Sequence, residues 1–302
     1  MTAPTRVPVS HRLAVSVTVV TLAGHLLLGF EQAYLAPVVG VLTGVTAELA
    51  LETVRAWTSR DRPRYLTDRA FLLPSYAESL LCAMLLYGQA HLAGIALAAL
   101  VGVASRHVLR AGRPGTPFVN PVALGVTVAA LRPGVEMAPP YQFTAWVPEA
   151  LQSFVPLVLL ALGMTFVRSS GRLPLVLAWA GGVALAGLVA GPGLGHGLGH
   201  GLLAVTDAAF VLHTCFVLPE ARTTPSRPRE QVVFGLSAAV LYLALPGPGP
   251  MAALLAVCAL RGACLAVLGR RGQPMPGPTR SRTRSEPSRL TSLNAPEARA
   301  RR

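Results

Sequence analysis

Two arginines that lie within apolar stretches are the strongest candidates for functional residues in this chain. Arg261 ends the stretch PMAALLAVCALR, and a near-copy, PVALGVTVAALR, ends at Arg132, 129 residues earlier. Six of the twelve positions are identical. A guanidinium is costly in hydrocarbon, so such residues usually face a functional interior. A repeat that places it twice predicts a duplicated membrane fold with a polar centre.

Three acidic residues, Glu48, Glu78 and Asp207, interrupt other apolar segments. Counted from the expected cytosolic ends of their helices, Glu48, Glu78 and Arg261 lie about 10–12 Å deep, and Asp207 about 16 Å deep. We expect these four residues and Arg132 to form an intramembrane charge layer. The acids would then compensate the charge of Arg261.

Glu48 and Glu52 are four residues apart, on one face of a helix, where two ionised carboxylates would repel each other. We expect Glu52 to be interfacial and paired with Arg55. Glu48 is then the buried member, either protonated, paired with an arginine or bound to a cation.

Two histidines, His25 and His213, lie within apolar segments. They fit a proton relay or a ligand contact. They equally fit hydrogen-bonded core positions, and both interpretations stay open. His196 and His200 lie in a glycine-rich loop that would hold a metal poorly, so no metal site is predicted.

Composition indicates a polytopic membrane protein. The chain has 302 residues, 52% of them hydrophobic and only 13% charged, with a mean hydropathy of +0.53. The net charge of +13 does not indicate nucleic-acid binding, because the arginines lie in the C-terminal tail and in short loops between apolar segments. The four cysteines lie in apolar segments without a CxxC pair and are interpreted as small buried residues.

Ten apolar segments are predicted to span the membrane: 13–30, 34–54, 70–88, 91–109, 118–132, 150–167, 173–191, 199–218, 231–246 and 250–268. With both termini in the cytosol, the cytosolic pieces and the helix-end Arg106 hold 24 of the 26 arginines. The remaining two are Arg132 and Arg261. The positive-inside rule therefore favours a multi-pass protein of the bacterial plasma membrane with cytosolic termini.

Ten spans divide into two five-helix halves of inverted topology, a common transporter arrangement. We predict an N-terminal tail (1–12), a transmembrane domain (13–268) and a disordered arginine-rich cytosolic tail (269–302). The transmembrane domain comprises a first repeat (13–132) and a second (150–268). Residues 121–132 cover only about 17 Å as a helix, so the fifth span is expected to be broken.

Several stretches resemble one family. They are His25–Gln32, Phe118–Pro121, Ala138–Thr144, Thr223–Gly235 and Cys258–Gly262. Together they are similar to UnbU-type membrane proteins of enediyne antibiotic biosynthesis, and through them to the NqrB and RnfD subunits of sodium-pumping and Rnf electron-transport complexes. The resemblance implies ten helices in two inverted halves, like those of urea transporters.

The resemblance also implies redox work with a flavin. NqrB and RnfD carry flavin on the threonine of a Ser-x-Ala-Thr motif, whereas this chain has no Ala-Thr dipeptide. Covalent FMN is therefore not expected, and a non-covalent flavin or quinone is the implied cofactor. The family's Thr-Asp-Pro is replaced by Leu218-Pro219-Glu220, where Glu220 either substitutes for the aspartate or marks a lost feature.

Two polar stretches are expected on the cytosolic face, at the starts of the fifth and ninth spans. Helix N-termini, hydroxyl groups and arginines together suit an anion such as phosphate or carboxylate. Alternatively, Asn120 only caps its helix, and the arginines only orient the chain. The candidate ligand-binding residues are Asn120, Thr223, Thr224, Ser226, Arg227 and Arg229.

Three functions are consistent with these features. The first is a redox-associated membrane protein of enediyne biosynthesis, a relative of the NqrB/RnfD subunit. The second is a transporter or channel for a small solute, an ion or a pathway product between the inverted halves; a scaffold for soluble enzymes is a third. The expected partners are the lipid bilayer and other pathway or redox proteins, with no nucleic acid.

Overall fold

The computed structural model describes residues 9–30, 32–87, 92–112, 115–137, 146–152, 154–189, 207–244 and 249–271. Within these ranges the chain is mostly helical. The described residues also form two short antiparallel pairs of β-strands.

The first half of the described chain contains five helices. They are α1 (Val9–Ala23, continued by a π-helical turn Gly24–Leu28), α2 (Leu35–Ser59), α3 (Leu73–Leu85), α4 (Leu92–Val108) and α5 (Pro121–Ala130). Strand β1 (Leu86–Tyr87) follows α3 and pairs with β4 (Glu136–Met137), which follows α5. Strands β2 (Arg110–Ala111) and β3 (Thr116–Pro117) form the hairpin between α4 and α5.

The second half of the described chain contains six helical segments. They are α6 (Glu149–Gln152), α7 (Phe154–Ser170), α8 (Leu173–Val189), α9 (Ala208–Leu212, continued by a π-helical turn His213–Val217), α10 (Pro228–Ala244) and α11 (Gly249–Arg271).

Four helical stretches of the described chain are long and apolar enough to cross a bilayer: Val9–Leu28, Leu35–Ser59, Glu149–Ser170 and Gly249–Val267. Four shorter apolar helices accompany them, at Leu92–Val108, Pro121–Ala130, Leu173–Leu185 and Ala208–Val217. Large apolar side chains such as Leu27, Leu42 and Val240 are more than half exposed on the outer surface. So many exposed apolar side chains are consistent with a surface that contacts lipid, as expected of an all-α membrane protein.

The predicted third and fifth spans are shorter in the structure than in the sequence prediction. Helix α3 ends at Leu85 because Leu86 adopts an extended conformation and pairs with Met137. Helix α5 has ten residues, or about 15 Å. Residues 199–206 of the predicted eighth span and the predicted tail beyond Arg271 lie outside the described residues.

Three helix contacts in the first half have counterparts in the second. In the first half α1 packs on α3, α2 on α4, and α4 on α5. In the second half α7 packs on α9, α8 on α10, and α10 on α11. The halves meet where α1 contacts α7 and where α5 contacts α11.

Small residues permit the closest of these contacts. A Cβ atom on Gly125 of α5 would lie 2.2 Å from the carbonyl oxygen of Ala98 in α4, and one on Gly102 of α4 would lie 2.8 Å from that of Pro121. Glycines at such positions let helix backbones approach each other, as is common in membrane bundles.

Arginine-bearing segments from distant parts of the chain meet at one end of the bundle. Arg64, Arg110 and Arg222 line one cavity there, and Arg172 contacts the loop that carries Arg222. We call this end the arginine-rich face. Helix α3 begins at this face, and β1 and β4 lie at the opposite face.

Candidate functional site

A buried ionic cluster ties three helices together near the arginine-rich face. Arg106 of α4 donates from Nη2 to Glu48 Oε2 of α2 at 2.5 Å and to Ser75 Oγ of α3 at 2.7 Å. Its Nε lies 3.3 Å from Glu78 Oε2 of α3. Glu48, Glu78 and Arg106 are each at most 5% exposed. Such a cluster is stable only when every charge keeps a partner, so the three helices are held in one arrangement.

Two further side chains complete this cluster. Ser75 donates its hydroxyl to Glu48 Oε2 at 3.0 Å, and His107 Nε2 lies 3.3 Å from the same oxygen. Glu48 therefore has contacts with α3 and α4 at once. Within the described residues, Arg106 Nε and Glu78 Oε2 are buried without an aligned hydrogen bond.

Glu52 forms ion pairs with two other arginines, Arg55 and Arg64. Arg55 donates to both of its carboxylate oxygens, at 2.9 and 2.7 Å, and Arg64 donates to it from Nε and Nη2, at 3.0 and 2.7 Å. The predicted pairing of Glu52 with Arg55 is confirmed. Glu48 was expected to be the buried member of the two, but Glu52 is also buried, at 0% exposed. Different arginines thus neutralise Glu48 and Glu52, which removes the predicted repulsion between them.

A cavity of about 180 Å³ opens beside this cluster. Four arginines and one histidine line it together with two acids, so its surface is strongly polar and carries a net positive charge. Its lining residues are Ser10, Glu48, Arg64, Asp68, Ala70, Phe71, Pro74, Arg106, His107, Arg110 and Arg222.

The loop 220–227 is held in place by side chains from three other elements. Arg261 Nη1 donates to the carbonyl oxygen of Thr223 at 2.6 Å. Arg172, between α7 and α8, donates to the carbonyl oxygens of Pro225 and Ala221. Gln231 Nε2 donates to the carbonyl oxygens of Gly171 and Ser226. Burial lowers the pKa of Arg172, and the nearby Glu220 carboxylate opposes that shift.

Glu220 binds the two threonines that were candidate ligand-binding residues. Its Oε2 accepts from the hydroxyl of Thr223 at 2.5 Å and from the backbone N–H of that residue at 3.1 Å. The hydroxyl of Thr224 donates to the Glu220 carbonyl at 2.6 Å. These hydroxyl protons are therefore engaged within the loop itself. Ser226, Arg227 and Arg229 are exposed, and Arg227 lies 3.5 Å from Glu230.

Asn120 performs the capping role that the sequence analysis had left as one of two interpretations. Its Oδ1 accepts from the backbone N–H of Ala123, and its Nδ2 donates to the carbonyl oxygen of Val217 at 2.8 Å. Asn120 is fully buried. It therefore joins the start of α5 to the end of the π-helical turn after α9, a few residues before the loop 220–227.

A second cavity, of about 170 Å³, lies between α9, α10 and α11 towards the opposite face. We call it the aromatic cavity. Its lining is mainly apolar, with two polar groups from α9 and a phenol from α10. The lining residues are Leu85, Met137, Asp207, Ala209, Phe210, His213, Tyr242, Pro250 and Met251. Asp207 also caps α9, because its Oδ1 accepts from the backbone N–H of Ala209 at 3.1 Å.

The structure corrects the predicted charge layer. Glu48 and Glu78 pair with Arg106, Asp207 lines the aromatic cavity, and Arg261 binds a backbone carbonyl. Arg132 is exposed, just after the end of α5. The prediction used only the position of each residue along its helix, which gives its depth. The side chains point in different directions, so residues at similar depth lie in separate sites.

The two span histidines lie in different surroundings. His25 is buried, its Nδ1 lies 2.8 Å from the carbonyl oxygen of Thr21, and its ring is tilted against those of Phe30 and Tyr34. His213 is 1% exposed and lines the aromatic cavity. No described contact joins them. His196, His200 and the stretch 138–144 lie outside the described residues.

Sequence reasoning missed Arg106, Arg172 and the full role of Glu220. Arg106 was assigned to a helix end, and the structure places it in the last turn of α4, but its pairing with Glu48 and Glu78 was not predicted. The available signal was the charge balance: two buried acids in neighbouring spans require a cation at their depth. Compared with protein-family models and with curated proteins, the chain shows no significant match.

Proposed function

We propose that the chain is a ten-span protein of the bacterial plasma membrane, built from two inverted five-helix halves, with the arginine-rich face in the cytosol. The three helix contacts that recur in both halves support this division. The gathering of arginines from distant loops at one face supports the orientation, because short cytosolic loops carry an excess of arginine.

We further propose that the protein moves a small solute or ion between two cavities at the ends of α3. One observation carries this proposal. Pro74 lines the cavity at the arginine-rich face, whereas Leu85 of the same helix lines the aromatic cavity. The two residues are about 16 Å apart along the helix axis. Alternating access between two such cavities is the usual behaviour of inverted-repeat transporters.

The segment of α3 between the cavities acts as the barrier. Every residue from Ala77 to Leu86 is buried, and Leu81, Ala83 and Met84 are at most 1% exposed. Glu78, held by Arg106, is the charged residue of this buried segment. Passage of a solute therefore requires α3 or the short helix α9 to shift, and both are shorter than a bilayer-spanning helix.

Cavity size favours a small solute over a large cofactor. The cavities measure about 180 and 170 Å³. Pockets for drug-sized ligands, a class to which a flavin belongs, measure roughly 300–1,000 Å³. A small polar molecule or ion fits either cavity as it stands.

Flux through purified protein in liposomes tests the transport proposal. Stopped-flow light scattering after osmotic challenge with urea, methylammonium formate or glycerol reports uptake. We expect one or more probes to enter faster than in protein-free liposomes. Ala209→Leu, which fills the aromatic cavity, should reduce that flux. Ala259→Leu is the matched control, because Ala259 is exposed on α11. Equal flux in both variants would contradict a path through this cavity.

The redox-associated role in enediyne biosynthesis implied by the NqrB/RnfD resemblance is the second proposal. The observation that favours it is the ring cluster beside the aromatic cavity, in which Trp179 stacks on Phe210 at 5.7 Å and meets His213 at 5.6 Å. A quinone or flavin ring could stack there after the cavity widens. A yellow purified protein that loses its flavin on denaturation would support this role, whereas a colourless protein that conducts solute would oppose it.

A further inference from the structure

The aromatic cavity presents three kinds of chemistry on one short helix. Asp207, Phe210 and His213 follow one another at intervals of three residues on α9 and its π-helical continuation, and all three line the cavity. Residues three apart share a helix face. A carboxylate, an aromatic ring and an imidazole therefore face the same small space.

His213 is the clearest sign that the cavity is built for a ligand. Its side chain is 1% exposed, yet within the described residues neither ring nitrogen has a hydrogen-bond partner. A buried polar group left without a partner costs about 1–3 kcal/mol. A neutral imidazole offers one N–H donor and one acceptor nitrogen. A ligand that carries N–H groups would satisfy the acceptor.

The rings that border the cavity are held rigidly. Trp179 stacks on Phe210 with an interplanar angle of 16° and packs in a tilted arrangement against His213 and Tyr242, with centroid distances of 5.6 Å. Trp179 is itself anchored, because its Nε1 donates to the hydroxyl of Thr214 at 2.9 Å. The faces of such rings attract cations by about 0.5–2 kcal/mol each.

We propose that the aromatic cavity binds a small protonated amine. The ammonium group pairs with the Asp207 carboxylate, contacts the rings of Phe210 and Tyr242, and donates an N–H to His213. The apolar remainder of the cavity, including Met251 and Leu85, accepts a short alkyl chain. If the amine is also the transported solute, that part of the assignment rests on the proposed transport function; binding itself does not.

The same chemistry disfavours anions and quaternary ammonium ions. An anion would meet the Asp207 carboxylate in a largely apolar space, where like charges repel strongly. A quaternary ammonium ion would satisfy the rings and the carboxylate but has no N–H for His213. A primary amine should therefore bind more tightly than a quaternary one of similar size.

Calorimetry on the purified full-length protein in detergent tests this assignment, with ethylammonium as the probe and tetramethylammonium, propionate and sodium as comparisons. A chain with Trp57→Phe and Trp146→Phe keeps Trp179 as its single tryptophan, since the sequence contains three. Both replaced tryptophans are exposed, at 83% and 61%. A change in Trp179 fluorescence on adding ethylammonium then locates the bound amine.

Asp207→Asn is the decisive variant. Asparagine caps helices as well as aspartate does, so α9 keeps its cap while the cavity loses its charge. We expect ethylammonium to bind at least about tenfold more weakly, a loss of about 1.4 kcal/mol. Asp61→Asn is the matched control, because that acid is 64% exposed, paired with Arg55 and distant from the cavity. It should leave the affinity unchanged.

These measurements distinguish the amine site from the alternatives. Tighter binding of ethylammonium than of tetramethylammonium, with loss in Asp207→Asn and a Trp179 response, supports the amine site. Equal binding of propionate or sodium, unchanged affinity in Asp207→Asn, or no binding of ethylammonium overturns it. Binding without flux in liposomes would leave the amine site standing and reject the transport proposal. Flux of other probes without amine binding would do the reverse.

Discussion

Arg261 and Thr223 are joined by a hydrogen bond of 2.6 Å from the guanidinium Nη1 to the main-chain carbonyl oxygen. The bond connects α11 to the loop 220–227. The sequence had marked both regions, Arg261 as an intramembrane charge and Thr223 as a ligand-binding residue, without relating them. Together with Arg172 and Gln231, Arg261 fixes the path of a loop whose hydroxyl groups are already bound to Glu220.

Arg261→Leu should destabilise the protein, because the Thr223 carbonyl loses its charged donor. We expect a loss of about 1–3 kcal/mol in the free energy of unfolding. Thermal unfolding in detergent measures the effect, and faster proteolysis of loop 220–227 should accompany it. Arg229→Leu is the control, because Arg229 is exposed on α10. Equal melting temperatures for the two variants would show that the Arg261 contact contributes nothing.

Arg106→Gln should be the most damaging single change near the arginine-rich face. It leaves Glu48 and Glu78 buried without their cation, and breaking a buried ion pair costs about 3–5 kcal/mol. Arg106→Lys keeps the charge and should fall between wild type and Arg106→Gln. Arg110→Gln serves as the comparison, because the Arg110 side chain is exposed and donates to a backbone carbonyl. Denaturant unfolding followed by circular dichroism ranks the three, and a tolerated Arg106→Gln would rule out the structural role of the cluster.

Asn120→Ala should destabilise the junction between α5 and the π-helical turn after α9. It removes the cap of α5, worth about 0.5–2 kcal/mol, and leaves the Val217 carbonyl without its donor. Asn120→Asp keeps the capping oxygen but loses the Nδ2 donor, so its melting temperature should lie between those of the alanine variant and the wild type. An Asn120→Asp variant that melts at the wild-type temperature would mean that the bond to Val217 contributes no stability.

Gly125→Ala should weaken the packing of α5 on α4. The added methyl would lie 2.2 Å from the carbonyl oxygen of Ala98, so the backbones must separate, at a cost of about 1–3 kcal/mol. Gly181→Ala is the matched helical control, because a Cβ there meets nothing within 4 Å. The control should be neutral or stabilising by up to about 1 kcal/mol, since alanine favours helices. Melting temperatures that fall equally would contradict the close contact.

The apolar segments of the sequence, and the polar or proline- and glycine-rich stretches between them, predicted the positions of most helices. The predicted segments 34–54, 173–191 and 250–268 correspond to α2, α8 and α11, whose starts the structure places at Leu35, Leu173 and Gly249. The third span was predicted too long, because its end depends on the pairing of Leu86 with Met137. The paired residues are 51 positions apart in the chain. The pattern of apolar residues within one segment carries no information about such a distant pairing.

The sequence by itself determined that the chain is apolar and helical, that its arginines gather in loops, and that a few charges must lie inside the bundle. These properties depend on composition and local spacing. Only the tertiary structure decided that Arg106 is the partner of Glu48 and Glu78, that Arg261 binds the loop at Thr223, and that Asp207 and His213 share the aromatic cavity. The physical reason is that spacing gives the depth of a residue along its own helix, whereas ion pairing depends on how neighbouring helices are rotated and packed.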